Sequence, residues 1–386
     1  LDGGADDRSD HHNLVAMYDG YLVLPFAPEF GACGGIAFFD VSDPCQPRRV
    51  GAGGSDNMRE THAIGFWNHN GRWAVTNYIN AENGFCSRLV PGLPGGGTIS
   101  TEGGIMFWDV SNVAAPVPVA ELPLDGFLYP DAYARVVQSV FWQAPYVYVS
   151  GSDNGIYIVD ATDPTAPELL TTYRFEPTLR AAGIHAIGNL LVVGSAEGNR
   201  TVLLDISDPA RPQPIPGGDF TQFDAEGVAR EAYFHNIANS YVYYARKSDG
   251  GGVIVYDIRD PTAPTLVGSV GSDGNGGYLF AHKDFVITGE SRFAGLYDVS
   301  DMSNMQLIQK LDLEGDLDTA IPVGNVIVLS VDDKANEDEG SAIAPWRLEP
   351  DREAPLLTWV TPEDGATNVV TTSRIGMGFD EAIDPG

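Results

Sequence analysis

Short apolar runs that end at an aspartate recur along this chain, and one copy shows the pattern clearly. Residues 156–159 read as a β-strand, and Asp160 ends the run. Asp163 and Pro164 follow, and they predict a tight turn into another short strand. The two residue types suit a turn for separate reasons: Asp bonds the backbone amides that follow it, and Pro cannot donate to a strand ladder.

The same pattern occurs seven times, at intervals of 41 to 69 residues. The marker residues that end the runs are Asp40, Asp109, Asp160, Asp205, Asp257, Asp298 and, in a weaker copy, Leu348. Recurrence at this spacing is typical of repeat architectures. Two further strands joined by a tight turn precede the marker strand, most clearly in residues 185–195 and 235–245. Each unit is therefore predicted to be a four-stranded meander.

The marker runs, such as YIVD at 157–160 and VIVYD at 253–257, resemble the LVIVD-repeat family of bacterial surface proteins. The resemblance covers residues 12–355 and implies a β-propeller, an exported protein and, usually, no assigned role. Seven meanders arranged radially bury their sheet faces against one another and leave only short protected edges. We therefore predict an all-β fold, a seven-bladed β-propeller of four-stranded antiparallel blades over residues 12–355.

Both ends of the chain are predicted to differ from the repeats. Residues 1–11 are polar and start with Leu rather than Met, which favours a disordered leader and export. Residues 352–386 resemble the start of a bacterial immunoglobulin-like domain, a β-sandwich fragment too short to bury a core. Residues 356–386 are thus predicted to hold the last outer strand of blade 7 (356–360), an incomplete Ig-like domain, or both, with more chain to follow.

The net charge of the protein argues against polyanionic partners. The chain has 22 basic and 53 acidic residues, a formal charge of −31, so nucleic acid and anionic membrane surfaces would repel it. It has no apolar run of about 18 residues, the length that a membrane-spanning helix needs. We expect a secreted or cell-surface protein.

Antiparallel order assigns the connections to two faces of the predicted ring. The turn face carries the inner hairpin turns and the Asp-Pro turns. The long-loop face carries the long, variable connections, at 78–103, 125–135, 216–232 and 332–340. Variable loops on a rigid scaffold are where binding normally occurs, so the long-loop face is the predicted binding surface.

The three cysteines are placed by the same assignment. Cys33 and Cys86 fall in loops on the long-loop face of neighbouring blades, whereas Cys45 lies in an Asp-Pro turn. The strand between Cys33 and Cys45 spans roughly 23 Å, far beyond the reach of a disulfide. We predict a Cys33–Cys86 disulfide with Cys45 free; the alternative is three unpaired thiols.

Four arginines occupy comparable places just ahead of a predicted first strand: Arg59, Arg135, Arg180 and Arg230. The predicted ring gathers them on the long-loop face near the channel, and the other candidate ligand-binding residues there are Tyr133, Tyr233, Glu60 and Glu231. Because guanidinium groups bind carboxylates bidentately, the cluster suggests an anionic ligand such as a carboxylate or an acidic sugar. The alternative is that each arginine pairs with a nearby acid, such as Glu60 or Glu231, and locks adjacent blades.

Two further sets of residues suggest metal binding. His62, His185 and His235 each stand at the head of a predicted first strand, so their imidazoles could hold a transition metal at the channel mouth. The alternative is a structural role for hydrogen-bonded histidines. The second set is acidic and suits calcium, or else forms a solvated loop; it contains Asp316, Asp318, Asp332 and Asp333.

Familiar catalytic signatures are missing from the sequence, including GxSxG, HExxH, CxxC and GxxxxGK. The leading hypothesis is therefore a non-enzymatic, exported propeller that binds a protein or a glycan through its long-loop face, with calcium or a transition metal as the candidate cofactors. One alternative is a metal-dependent enzyme with the histidine site at the channel mouth. Another is a structural subunit or spacer in a surface assembly.

Overall fold

The structure is a computed structural model of the chain. It describes residues 14–26, 34–55, 58, 61, 63–78, 102–128, 139–196, 198–247, 250–312, 315, 317–331, 341–347, 352–367, 369, 374–381 and 383. Within these ranges the regular structure is β-strand, apart from one turn of 3-10 helix at Met302–Asn304.

The first four blades are four-stranded antiparallel sheets whose strands pair in chain order. Blade 1 contains β1 (Ala16–Tyr18), β2 (Tyr21–Phe26), β3 (Gly35–Asp40) and β4 (Arg48–Gly54). Blade 2 contains β5 (Ile64–Asn68), β6 (Arg72–Tyr78), β7 (Glu102–Asp109) and β8 (Val117–Leu128). Blade 3 contains β9 (Val140–Gln143), β10 (Tyr146–Ser150), β11 (Ile156–Asp160) and β12 (Glu168–Tyr173). Blade 4 contains β13 (Ala181–Ile187), β14 (Leu190–Ser195), β15 (Arg200–Asp205) and β16 (Gln213–Thr221).

The remaining blades follow the same order, and a small sheet comes after them. Blade 5 contains β17 (Ala232–Ala238), β18 (Tyr241–Arg246), β19 (Gly252–Asp257) and β20 (Thr265–Gly271). Blade 6 contains β21 (Leu279–His282), β22 (Phe285–Gly289), β23 (Ala294–Asp298) and β24 (Gln306–Leu311). Blade 7 has three described strands, β25 (Thr319–Val323), β26 (Val326–Ser330) and β27 (Ser341–Pro345). The two-stranded sheet of β28 (Leu357–Thr361) and β29 (Gly376–Phe379) is named the C-terminal sheet.

A separate cluster of buried apolar side chains fills each of the seven blade interfaces. Phe38 and Trp108 lie between blades 1 and 2, for example. The ring closes because Leu22 of blade 1 packs with Ile321 and Val328 of blade 7. First strands of successive blades also contact one another, β13 with both β9 and β17, so they lie nearest the axis. The predicted seven-bladed propeller of four-stranded antiparallel blades is confirmed, with three strands described in blade 7.

The marker aspartates end their strands in paired Asx turns, as their turn chemistry predicts. Asp160 Oδ1 accepts a hydrogen bond from the Thr162 amide at 2.9 Å, and Asp163 Oδ1 accepts one from the Thr165 amide at 2.9 Å. The same two bonds recur in blades 1, 4, 5 and 6, and in blade 2 the amide oxygen of Asn112 replaces the second aspartate. The carboxylates therefore hold the backbone amides at the rim of the turn face.

In blade 7, strand register places Pro345 at the marker position for which Leu348 was predicted, and Leu348 itself lies outside the described residues. Pro345 pairs with Val326, as Asp298 pairs with Phe285 in blade 6. Pro345 has no carboxylate for an Asx turn. The indole of the next residue, Trp346, donates to the Gly324 carbonyl at 2.9 Å instead, and this bond ties β27 to the hairpin turn.

Residues 356–360 were predicted to supply the outer strand of blade 7 or to start a second domain, and the first of these is wrong. β28 pairs with β29 rather than with β27. Two hydrogen bonds extend this pairing beyond the start of β28 and the end of β29. The Leu356 amide donates to Asp380 Oδ1, and the Asp380 amide donates to the Leu356 carbonyl.

The structure describes one of the three cysteines. Cys45 is exposed and unbridged, as predicted. Cys33 and Cys86 lie outside the described residues, so their disulfide stays a prediction. In the part of the chain that the structure describes, no helix is both long and apolar enough to cross a bilayer.

Candidate functional site

Two of the four predicted arginines, Arg180 and Arg230, are described, and each pairs with a carboxylate. Arg180 Nε donates to Asp153 Oδ1 at 3.3 Å, and Arg230 Nε donates to Asp224 Oδ2 at 2.6 Å. Burial acts to raise the pKa of Asp224, but the hydrogen bonds from Arg230 and the Val228 amide hold that pKa below its usual value. Both arginines therefore fit the pairing alternative, with acids other than those expected. Four other candidates of this set lie outside the described residues: Arg59, Glu60, Tyr133 and Arg135.

A further arginine close to Arg230, Arg246, was not predicted from the sequence. It ends β18 on the long-loop face and is only 6% exposed, and its Nε has no hydrogen-bond partner among the described residues. Burial and the positive charge of Arg230 lower its pKa, while Asp224 acts in the opposite direction. By strand register its equivalent in blade 4 is Ser195, so an arginine where the previous repeat has a serine was the available signal.

Aromatic and basic side chains border this group. The ammonium of Lys247 lies 3.8 Å from the ring centroid of Tyr233, and the Lys247 amide donates to the Glu231 carbonyl at 2.9 Å. We name Arg230, Arg246, Tyr233 and Lys247 the arginine patch. The charges of Arg230 and Arg246 are close enough to interact, with Asp224 and Glu226 beside them. Two neighbouring guanidinium groups in a protein of formal charge −31 are suited to an anionic ligand.

The two described histidines of the predicted metal set are brought together, at positions other than those predicted. The ring centroids of His185 and His235 lie 5.0 Å apart. Neither heads its strand, because β13 begins at Ala181 and β17 at Ala232, and a bulge follows each start. The extra residue in the bulge carries each strand further towards the long-loop face and leaves the histidines nearer the turn face.

His235 is buried between blades 4 and 5, where two glycines make room for it. A Cβ added at Gly183 or Gly194 would come 2.6 or 3.0 Å from its Nδ1. Burial, and then the neighbouring His185, keep the pKa of His235 well below its ordinary value. Burial also lowers the pKa of His185 to about 4. Both rings are therefore neutral at pH 7, and the close fit of His235 favours the structural alternative.

The metal hypotheses rest largely on residues outside the described ranges. His62, Asp316, Asp332 and Asp333 are among those residues. Asp318 is described and largely buried, and its carbonyl accepts from the Tyr278 amide at 2.8 Å. Among the described residues no three His, Cys, Asp or Glu side chains lie close enough to share an ion. The transition-metal and calcium sites stay predictions.

A buried glutamate occupies the place in blade 6 that Arg246 occupies in blade 5. Glu290 accepts hydrogen bonds from the hydroxyls of Thr288, at 2.9 Å, and of Ser272 and Tyr297. Burial raises its pKa, and the three donors oppose that rise. Because its oxygens are satisfied inside the blade, Glu290 stabilises the fold and does not present an acid to a ligand.

Two segments match the LVIVD repeat. They cover residues 134–174 and 237–271, which contain the described strands of blade 3 and most of blade 5. No curated protein matches the chain in sequence.

Solved structures share the fold at low sequence identity. A periplasmic gluconolactonase from Pseudomonas aeruginosa, PpgL, is 10% identical with a TM-score of 0.60, over 77% of this chain and 84% of that one. A protein from Lactobacillus plantarum is 12% identical with a TM-score of 0.58, over 80% and 88% of the two chains. The β-propeller domain of Cps50 (Swd1) from Myceliophteria thermophila is 11% identical with a TM-score of 0.56, over 88% and 98%. These similarities show the propeller fold alone.

Proposed function

We propose that this chain is an exported or cell-surface propeller that binds an acidic glycan, or a carboxylate-bearing protein surface, through its long-loop face. The observation that carries the proposal is Arg246, whose charge is buried beside Arg230 with one guanidinium nitrogen unpaired among the described residues. Removing a cation from water without a full set of partners is unfavourable, and a bound carboxylate would supply the missing ones.

The arginine patch also has the side chains that sugar recognition uses. Tyr233 offers a half-buried ring, and Lys247 lies over one face of it. Because the whole protein repels anions, a short oligosaccharide suits this patch better than a long polyanion. Arg59, Arg135 and Tyr133 are proposed to extend the same surface.

The test compares two arginine substitutions with the same change in charge. Arg246→Gln should weaken binding of an oligogalacturonate of about three sugars by about tenfold or more, the usual effect of losing a hydrogen bond to a charged group. Arg211→Gln is the control, because Arg211 is 82% exposed in an Asp-Pro turn on the other face. Titration calorimetry measures both, with maltotriose as the uncharged sugar. Equal affinities of the two variants would refute the assignment.

We further propose that residues 356–386 begin an immunoglobulin-like domain that extends or anchors the propeller, which also suits a spacer role in a surface assembly. Several apolar side chains of this segment are exposed, and Ile375 is 71% exposed. Additional strands of a β-sandwich would cover them. Light scattering of this chain and of one extended at its C-terminus would separate the roles, since a spacer in an assembly should associate as its concentration rises.

A further inference from the structure

A cavity of about 610 Å³ lies at the turn-face end of the channel, away from the arginine patch. Its walls are the last residues of the first strands of blades 3 to 6, and the C-terminal sheet covers it. Its volume is within the range of small-molecule sites, about 300 to 1,000 Å³. The aromatic residues that line it are Phe141, Trp142, Phe280, Trp359 and Phe379.

The C-terminal sheet and the segment between its two strands are hydrogen-bonded to blades 4 and 5. Arg374 Nη1 donates to the Ile206 carbonyl at 2.9 Å, and the Arg374 amide donates to Asn189 Oδ1 at 3.2 Å. The Thr358 hydroxyl donates to Asn239 Oδ1, in the hairpin turn of blade 5. Side-chain and main-chain hydrogen bonds therefore fix the C-terminal sheet against blades 4 and 5. The cavity between them is part of the folded structure.

The charge of the lining is negative. Glu381 contributes a largely buried carboxylate whose Oε1 lies 3.9 Å from Lys283 Nζ, and Lys283 also pairs with Glu353 at 3.1 Å. Two carboxylates therefore share one ammonium group, and no lysine or arginine is among the described residues that border the cavity. His185 also lines it, but its pKa of about 4 leaves the ring neutral at pH 7. The formal charge of −31 adds an attractive field for cations over the whole molecule.

The polar groups of the wall are concentrated in two neighbouring blades. By strand register His185 is equivalent to Asn236 of blade 5, and both are flanked by phenylalanines at the equivalent positions of blades 3 and 6, Phe141 and Phe280. The side chains of His185 and Asn236 make no hydrogen bond within the described part of the chain. They are therefore available to a hydroxyl or carbonyl group on a ligand.

We propose that this cavity binds a small organic cation of the quaternary-ammonium class, with the charged head against the aromatic rings near Glu381. The negative faces of aromatic rings attract a cation that is poorly hydrated, and a quaternary ammonium has no N–H to satisfy. A hydroxyl or carbonyl group elsewhere in the ligand would reach Asn236 or His185. This site is independent of the anion site proposed on the opposite face.

The first experiment compares choline with 3,3-dimethylbutanol, which has the same shape and hydroxyl group but no charge. Ligand-observed NMR with the full chain should show choline bound about five- to tenfold more tightly. Raising NaCl from about 0.05 to about 0.5 M should weaken choline binding and leave the alcohol unaffected. Equal binding of the two probes, or none by choline, would overturn the proposal.

The second experiment removes the carboxylate. Glu381→Gln should reduce the preference for choline over the alcohol to about twofold or less, since the rings alone give a weak preference. Glu363→Gln is the matched control, because Glu363 is an exposed acid of the same C-terminal segment that does not line the cavity. Equal effects of the two changes would mean that only the net charge matters, and the site would be rejected. Trp359→Leu should weaken both probes, and circular dichroism verifies its fold.

Discussion

At the scale of single residues, His235 shows why a candidate site residue can be found in a sequence while its role is missed. The histidines stood out because they precede similar hairpins, and the structure does bring His185 and His235 together. The contact that defines His235 is its fit against Gly183 and Gly194 of the preceding blade. Those glycines lie about 40 to 50 residues earlier in the chain, and only the radial packing of the blades brings them to the histidine.

This packing gives a prediction for Gly183→Ala. The added methyl group would collide with the His235 ring, so the free energy of unfolding should fall by about 1–3 kcal/mol. In a His235→Ala background the same substitution should cost less than about 0.5 kcal/mol, because the space is then free. Urea denaturation of the four proteins measures the coupling. A cost that is the same in both backgrounds would show that the histidine is not the obstacle.

At the scale of the single element, the marker strand and its turn were predictable because their chemistry is local. An aspartate that bonds the amide two residues later needs no information from the rest of the fold. Blade 7 shows the limit of this reasoning. Leu348 was chosen by its similarity to the acidic turn sequence, whereas strand register places Pro345 opposite Val326, and register depends on pairing with a distant strand.

The Asx turn at Asp160 predicts that two substitutions of this residue reduce stability by different amounts. Asp160→Ala removes the acceptor of the Thr162 amide and hydroxyl and should lower the free energy of unfolding by about 1 kcal/mol. Asp160→Asn keeps an acceptor oxygen in the same place and should cost less than about 0.5 kcal/mol. Chemical denaturation at pH 7 distinguishes them. If both variants lose the same stability, the charge rather than the Asx geometry would be responsible.

At the scale of the whole molecule, seven similar repeats were enough to predict the ring, since radial packing of small sheets buries their faces. The position of the C-terminal sheet could not be predicted in this way. Its links are long-range: Arg374 and Asn189 are 185 residues apart in the chain. Neither the Asn189 turn nor the arginine carries a pattern that marks it as a docking point, and the cavity exists only where the two units meet.

Docking of the C-terminal sheet predicts a local effect of Arg374→Ala. Loss of the bond to Ile206 and of the contact with the Tyr146 ring should speed amide hydrogen exchange in β28 and β29 by about tenfold or more. Exchange in the blades should be unchanged. Arg352→Ala serves as the control, because Arg352 is an exposed arginine ahead of the same sheet. Faster exchange throughout the ring would mean that the sheet is part of the propeller core.

The Asx turns also change how the acidity of this protein should be interpreted. Eleven of its 53 acidic residues are held against backbone amides at the rim, namely Asp40, Asp43, Asp109, Asp160, Asp163, Asp205, Asp208, Asp257, Asp260, Asp298 and Asp301. A substantial part of the excess of anions is thus a by-product of joining short strands. A high acid content in such a repeat protein is therefore weak grounds for inferring a halophilic habitat, and charge-reversal engineering should leave these positions untouched.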